Sequence, residues 1–234
     1  MPPLSDFRPA PNLHDHPEVY ERENEALARD GRLDAALRAL TPYAGRRLLD
    51  IGCGTGFWLP RYAAEGARVT GVEPDPTLLP RARHRLHDAP DVRVLHGSAE
   101  SLPLPDASVD IAHARFAYFF GPGSEAGLAE VRRVLADGGT FVAIDNSWRG
   151  GDFADLLRDA VGGNASIDPD ATDAWWRAQG AERVEVEGGW TARSAEELQR
   201  ILRIEFPAET VDRFVARHDR AHLTYRFALF VVRT

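Results

Sequence analysis

Lysine is absent from this sequence: all 28 basic residues among its 234 are arginine. Schiff-base and lysine-nucleophile chemistry are thereby excluded. The abundance of Ala, Gly and Pro beside those arginines points to a GC-rich coding bias as the origin, not to a demand for guanidinium groups. Cysteine is limited to Cys53, which rules out an internal disulfide framework. No Cys/His cluster has the spacing of a structural zinc site, so no metal is expected. Long apolar runs are missing too. Nothing approaches the roughly 18 residues that a membrane helix needs, and the amino end has no basic segment leading into an apolar one. A soluble, cytoplasmic protein with no membrane partner is the expectation. Positive charge is in deficit, with 36 acids against 28 bases and a net charge of −8. Such a chain has no overall attraction to a phosphate backbone, and no nucleic-acid partner is expected.

What is present suffices for a substantial core, with 44% hydrophobic and 27% charged positions. Residues Met1 to Pro17 are proline-rich with little apolar periodicity and read as a flexible or extended arm at their start. From Glu18 to Leu40 the pattern is helical, with Val19, Leu27, Leu33, Leu37 and Leu40 among charges and a break at Gly31. Strand signals then recur at Arg47–Gly52, Arg68–Glu73, Val92–His96, Val109–Ala114 and Thr140–Ile144. Helical stretches lie between them, among them Pro76–Asp88 and Ser124–Ala136. Such alternation predicts an α/β fold whose parallel sheet is covered on both faces, a doubly wound arrangement. After Asp145 the rhythm changes to helices at Asp152–Val161 and Asp170–Gln179, which implies an insertion near the sheet's carboxyl edge. A strand at Arg183–Glu187, helices at Ser194–Ile204 and Glu209–Ala221, and a long strand at Leu223–Val232 complete the chain. The expected division is an amino-terminal arm with cap helices over 1–40, then one domain over 41–234 with its helical insertion near 148–180.

The strongest local signal is Leu49-Asp50-Ile51-Gly52-Cys53-Gly54-Thr55-Gly56, at the turn from the first strand into a helix. Alternating glycines let backbone approach a ligand, and in an open α/β sheet that turn lies at the strands' carboxyl ends, where ligands bind. A dinucleotide site uses the spacing G-x-G-x-x-G, whereas this loop reads G-x-G-x-G. Asp50 at the mouth would repel a pyrophosphate yet suit a ligand with cationic groups, such as the sulfonium and ammonium of S-adenosylmethionine. Glu73, ending the second strand, can accept from both ribose hydroxyls, a role either cofactor would give it.

These stretches resemble the class I S-adenosylmethionine-dependent methyltransferases. The likeness runs in order through Leu48–Gly56, Val69–Asp75, Gly97–Asp110 and Glu130–Gly139, about half the chain. It implies a Rossmann-like seven-stranded sheet whose last strand is antiparallel, with Leu223–Val232 in that role. It implies S-adenosylmethionine as cofactor, with Asp50, Gly52, Gly54 and Gly56 in its loop and Glu73 on the ribose, followed by Pro74. Ser98, Ala99 and Glu100 would border the adenine. Relatives often carry Asp where this chain has Ser98, and a hydroxyl accepts more weakly than a carboxylate. The segment His113-Ala114-Arg115-Phe116 would pass beneath the methionine part and face the acceptor.

Methyl transfer to a hydroxyl or carbon acid also needs a base. His14, His16, His113, His218, His222 and Asp145 are the candidates, with His113 ahead by position. Phe57, Trp58, Phe116, Tyr118, Phe119, Phe120, Trp148, Trp175 and Trp176 cluster where such a fold opens, which fits an apolar or aromatic small acceptor and equally fits ordinary packing. The reading is a methyltransferase acting on a small molecule, with the arm and the insertion as a lid. A non-catalytic binding or regulatory protein on the same fold is the alternative, and a nicotinamide-dependent oxidoreductase is disfavoured by the glycine spacing and by Asp50. Neither the acceptor atom nor the oligomeric state is written in any segment.

Overall fold

The computed structural model describes residues 10–87, 89, 91–161 and 168–234. Seven strands form one sheet: β1 (Arg47–Ile51), β2 (Arg68–Glu73), β3 (Val92–His96), β4 (Val109–Arg115), β5 (Leu135–Asn146), β6 (Glu182–Thr191) and β7 (His222–Arg233). Their order is β3-β2-β1-β4-β5-β7-β6. The first five strands are mutually parallel, and β7 runs antiparallel to both β5 and β6. The doubly wound sheet with an antiparallel last strand is therefore observed.

Side chains alternate faces along each strand, and here both faces are buried. On β1, Leu48 joins one apolar cluster while Leu49 and Ile51 join the other; on β7, Leu229 and Val231 oppose Ala228, Phe230 and Val232 in the same way. The short apolar runs of the sequence are the two-sided burial of parallel strands. β5 is longer than the expected Thr140–Ile144. Leu135 already pairs with Val109, and an irregularity separates that pair from the regular register that resumes at Ile111 and Thr140.

Among the described residues ten helices accompany the sheet: α1 (Pro11–Asp15), α2 (Pro17–Asp30), α3 (Arg32–Leu40), α4 (Leu59–Ala64), α5 (Leu79–Arg85), α6 (Glu125–Val134), α7 (Asp152–Val161), α8 (Pro169–Ala178), α9 (Ala195–Glu205) and α10 (Ala208–Arg217). The break within 18–40 falls at Gly31, whose φ of +68° closes α2 and opens α3. Asp168 caps α8 by accepting from the Asp170 and Ala171 amides, and Ser194 caps α9 by accepting from the Glu197 amide.

The second half of the Met1–Pro17 segment is helical. Pro11, pre-set for a first helical position, starts α1, and Pro17 starts α2 in the same manner. Met1 to Pro9 lie outside the described residues, as does Asp88 at the end of the expected Pro76–Asp88 helix, of which α5 occupies the middle.

Strand order reverses between β1 and β4, with β2 and β3 on one side and β5, β7 and β6 on the other. The crevice beyond the carboxyl ends of β1 and β4 is where such a sheet binds ligands.

Candidate active site

A cavity of about 820 Å³ opens at that crevice, within the range of roughly 300 to 1,000 Å³ usual for small-molecule sites. Ile51 and Gly52 after β1, Glu73 to Asp75 after β2, Gly97 to Ser101 after β3 and Arg115 to Tyr118 after β4 supply one half of its wall.

The glycine loop is shaped by close approach. Gly52 has a φ of +72°, and a Cβ there would stand 2.7 Å from Ala117 Cβ. Both the Gly52 and Cys53 amides donate to the Val72 carbonyl, at 2.8 and 3.1 Å, which ties the loop to β2. The Gly54 amide then donates to Glu73 Oε2 at 2.7 Å, and the Asp75 amide donates to Glu73 Oε1 at 2.8 Å. A carboxylate offers about four lone-pair sites. Glu73 thus keeps one site on each oxygen for a ligand's hydroxyls. Burial pushes its carboxyl up to about 7, against the two amide hydrogen bonds that favour the charged form. Asp50, only 2% exposed, is also pushed up to about 7 by burial; nearby Arg115 opposes that shift.

Arg115 is buried at the end of β4. Its Nε donates to the Tyr62 hydroxyl at 2.8 Å and one terminal nitrogen to Asp34 at 2.6 Å, and its plane lies 4.0 Å over the Trp58 ring. The other terminal nitrogen, Nη1, is buried without a partner. A guanidinium with a free N–H on a cavity wall is a ready carboxylate partner.

Of the residues expected at a cofactor, Gly52, Glu73, Pro74, Ser98, Ala99, Glu100 and Arg115 share this wall. Asp50, Gly54, Gly56 and Ala114 stand behind it: Gly54 braces Glu73, and a Cβ on Gly56 would meet Ala82 at 3.3 Å. Asp50 is paired in β1 between β2 and β4, so its charge is felt across the loop and not presented at the mouth.

The position of His113 corrects its candidacy as a base. It is fully buried, edge-on to Tyr43 and Tyr62 at ring distances of 5.7 and 5.5 Å, and off the cavity wall. Burial lowers its pKa to about 3, so the imidazole is neutral, and neither ring nitrogen has a partner. His16 is exposed between α1 and α2, His218 packs on Phe214, and His222 is exposed at the start of β7. His14 does border the cavity, with its Nδ1 2.7 Å from Asp75 Oδ2. Asp145 lines a second cavity of about 330 Å³, and burial raises its carboxyl to about 6.

The aromatic expectation divides. Phe116, Tyr118 and Phe120 line the main cavity and Trp148 the smaller one, while Phe57, Trp58, Phe119 and Trp176 are core residues. The sequence reading missed the far half of the main cavity. Tyr20, Glu23, Asn24 and Leu27 of α2, Phe153 of α7, Trp190 of β6, Glu205 of α9 and Tyr225 of β7 line it. Tyr20, Glu23, Asn24 and Leu27 recur at i, i+3, i+4 and i+7, one helix face. Two polar residues, Glu23 and Asn24, on a helix face shared with Tyr20 and Leu27 were the available signal.

A family model described as a methyltransferase domain matches residues 49–143. A demethylmenaquinone methyltransferase of Clavibacter sepedonicus is 32% identical over 175 residues, covering 64% of this chain and 71% of that protein. The ubiquinone/menaquinone biosynthesis C-methyltransferase UbiE of Rubrivivax gelatinosus is 37% identical over 111 residues, 47% of this chain and 43% of the relative's length. The chain thus spans less than half of that second relative. The crystal structure of a putative methyltransferase from Bacillus halodurans superposes with a TM-score of 0.61 at 18% identity, covering 85% of this chain and 97% of that one. The chain belongs to the class I S-adenosylmethionine-dependent methyltransferase family.

That family's cofactor fits the residues present. Two buried acids, Asp50 and Glu73, favour a ligand with cationic groups, and the orphaned Arg115 Nη1 suits the carboxylate of its amino-acid end.

Proposed function

We propose that this chain is an enzyme that moves the methyl group of S-adenosylmethionine to a small-molecule acceptor with apolar or aromatic character. The observation that carries this reading is the continuity of the cavity. One space is lined by Glu73 and Ser98 at the ends of the parallel strands, by Arg115 and Phe116, and by Tyr20, Phe153, Trp190 and Tyr225. Bound there, S-adenosylmethionine would supply an electrophilic methyl on a positively charged sulfur. That methyl would pass to an acceptor lone pair, the carbon–sulfur bonding pair leaving on sulfur. The protein's part is alignment.

In this reading Glu73 accepts from the ribose hydroxyls, Ser98, Ala99 and Glu100 border the base, and Arg115 pairs with the carboxylate. Asp50 adds negative field from behind the loop. The aromatic end holds the acceptor and excludes water. Orientation alone supplies effective molarities of roughly 10⁵ to 10⁸ M. The helices before residue 41 serve as a cap on the domain that follows, with α7 and α8 in the inserted segment. The net charge of −8 and the single cysteine support a small-molecule partner, not nucleic acid, and a reducing interior. Among the described residues no helix is long and apolar enough to cross a membrane.

Calorimetric titration with S-adenosylmethionine, S-adenosylhomocysteine and NAD tests the cofactor assignment. Micromolar binding of the first two and none of the third is expected. Mass spectrometry of candidate acceptors should then find products heavier by one CH₂ unit. Binding of NAD alone overturns the reading, and cofactor binding without any methylated product favours a non-catalytic member of the family.

A further inference from the structure

The far half of the cavity carries two acids that cofactor binding does not use. Glu23 lies on the cavity face of α2, and Glu205 ends the apolar stripe Leu198, Ile201, Leu202 of α9 at the same helical spacing. The two carboxyls come within hydrogen-bonding reach of each other. Asn12 Nδ2 donates to Glu205 Oε1 at 2.6 Å, and Glu23 Oε2 is buried. Among the described residues no arginine or histidine forms an ion pair with either acid. Burial, and then the neighbouring Glu205, hold Glu23 well above the usual carboxylate range; burial also raises Glu205, with Asn12 opposing.

An independent observation lies on the same wall. Trp190 is 3% exposed, and its indole N–H has no partner. Its ring stacks on Tyr225 at 5.7 Å and meets Phe153 at 5.0 Å, so the N–H is fixed in place by packing. A buried donor with no partner among the described residues, on the same wall as a carboxyl pair with no cation beside it, marks a place that a polar ligand completes.

We propose that this end of the cavity recognises an acceptor bearing a protonated nitrogen next to an oxygen lone pair. The nitrogen sits at the Glu23–Glu205 pair and the oxygen accepts from Trp190 Nε1. The inference rests on the methyltransferase reading for what occupies the other end. With one proton shared, the carboxyl pair carries a single negative charge, the complement of one ammonium. Tyr20, Tyr225 and Phe153 line the same cavity and supply the aromatic surroundings of the acceptor. A carboxylate in that place would meet like charge with no cation to offset it.

Three compounds with the same phenyl carbinol frame separate the possibilities: phenylethanolamine, styrene glycol and mandelate, which end in an ammonium, a hydroxyl and a carboxylate. Each is titrated into protein saturated with S-adenosylhomocysteine. The amine is expected to bind about tenfold more tightly than the glycol, the scale of a charge-assisted hydrogen bond, and mandelate not to bind. Glu23→Gln with Glu205→Gln should erase that preference while S-adenosylhomocysteine affinity is unchanged, and either single substitution should reduce it. Trp190→Phe should weaken amine and glycol alike. Equal affinities for amine and glycol, a preference for mandelate, or no amine binding with S-adenosylhomocysteine still bound overturn this proposal alone. Failure of the wild-type chain to bind S-adenosylhomocysteine overturns the methyltransferase reading and this proposal with it.

Discussion

His14 Nδ1 stands 2.7 Å from the Oδ2 of Asp75, joining α1 to the loop after β2 across the cavity rim. Asp75 is buried and also accepts from the Thr77 amide and hydroxyl, while Leu13 on the same short helix reaches Gly54, where an added Cβ would meet its Cδ2 at 3.1 Å. α1 is therefore a strap over the glycine loop.

The hydrogen bond to Asp75 raises the His14 pKa above 6.5. A raised histidine contributes fully below its unfolded value and loses that contribution as pH rises through the folded one. Amide exchange in α1, corrected for intrinsic rates, should accelerate as pH rises above the ordinary histidine range, and His14→Ala should remove that dependence. A flat profile in the wild-type protein would count against the strap.

Glu73→Ala removes the acceptor for two loop amides along with the ribose partner. Calorimetry should register a loss of about 1 to 3 kcal/mol in S-adenosylmethionine affinity. Unchanged affinity would contradict the role.

Asp50 and Glu73 both have carboxyls raised by burial to about 7. The folded chain holds more protons than the unfolded one between the ordinary carboxylate range and that value, so the free protein loses stability as pH rises through this window. A cationic ligand favours the ionised forms. The gain in melting temperature from S-adenosylmethionine, relative to neutral-sulfur S-adenosylhomocysteine, should accordingly be larger at pH 8 than at pH 6. The reverse order would show that these acids do not sense the sulfonium.

Gly52 and Gly138 share nearly the same backbone, with φ of +72° and +73°, but only Gly52 has a neighbour where a Cβ would go. Gly138→Ala should cost about 1 to 2 kcal/mol, the left-handed penalty alone. Gly52→Ala should cost more and abolish cofactor binding, as thermal unfolding and titration would register. Equal losses would refute a role for the Ala117 contact.

The parallel sheet was legible because two-sided burial writes apolar runs bounded by turns: Arg68–Glu73, Val92–His96 and the helix Asp152–Val161 appear at their expected limits. That Gly52, Glu73, Pro74, Ser98, Ala99, Glu100 and Arg115 line one cavity was legible for a related reason, since they lie at or just after strand ends. His113 misled because position along β4 does not say which face a side chain takes, and its face meets Tyr43 and Tyr62. The far half was hidden by its construction. Trp190 and Tyr225 sit in strands, Phe153 and Glu23 in helices, each fitting a core pattern locally, and only the folded chain brings them to one wall.

The methyltransferase match ends at residue 143, before α7, β6, α9 and β7. Every side chain assigned to acceptor recognition comes from outside the matched stretch, and β6 is an edge strand paired with β7 alone. The chain thus encodes the lining of one cavity in separable text. Exchange of the terminal hairpin and its flanking helices could redirect the enzyme to new chemistry while leaving the nucleotide seat intact.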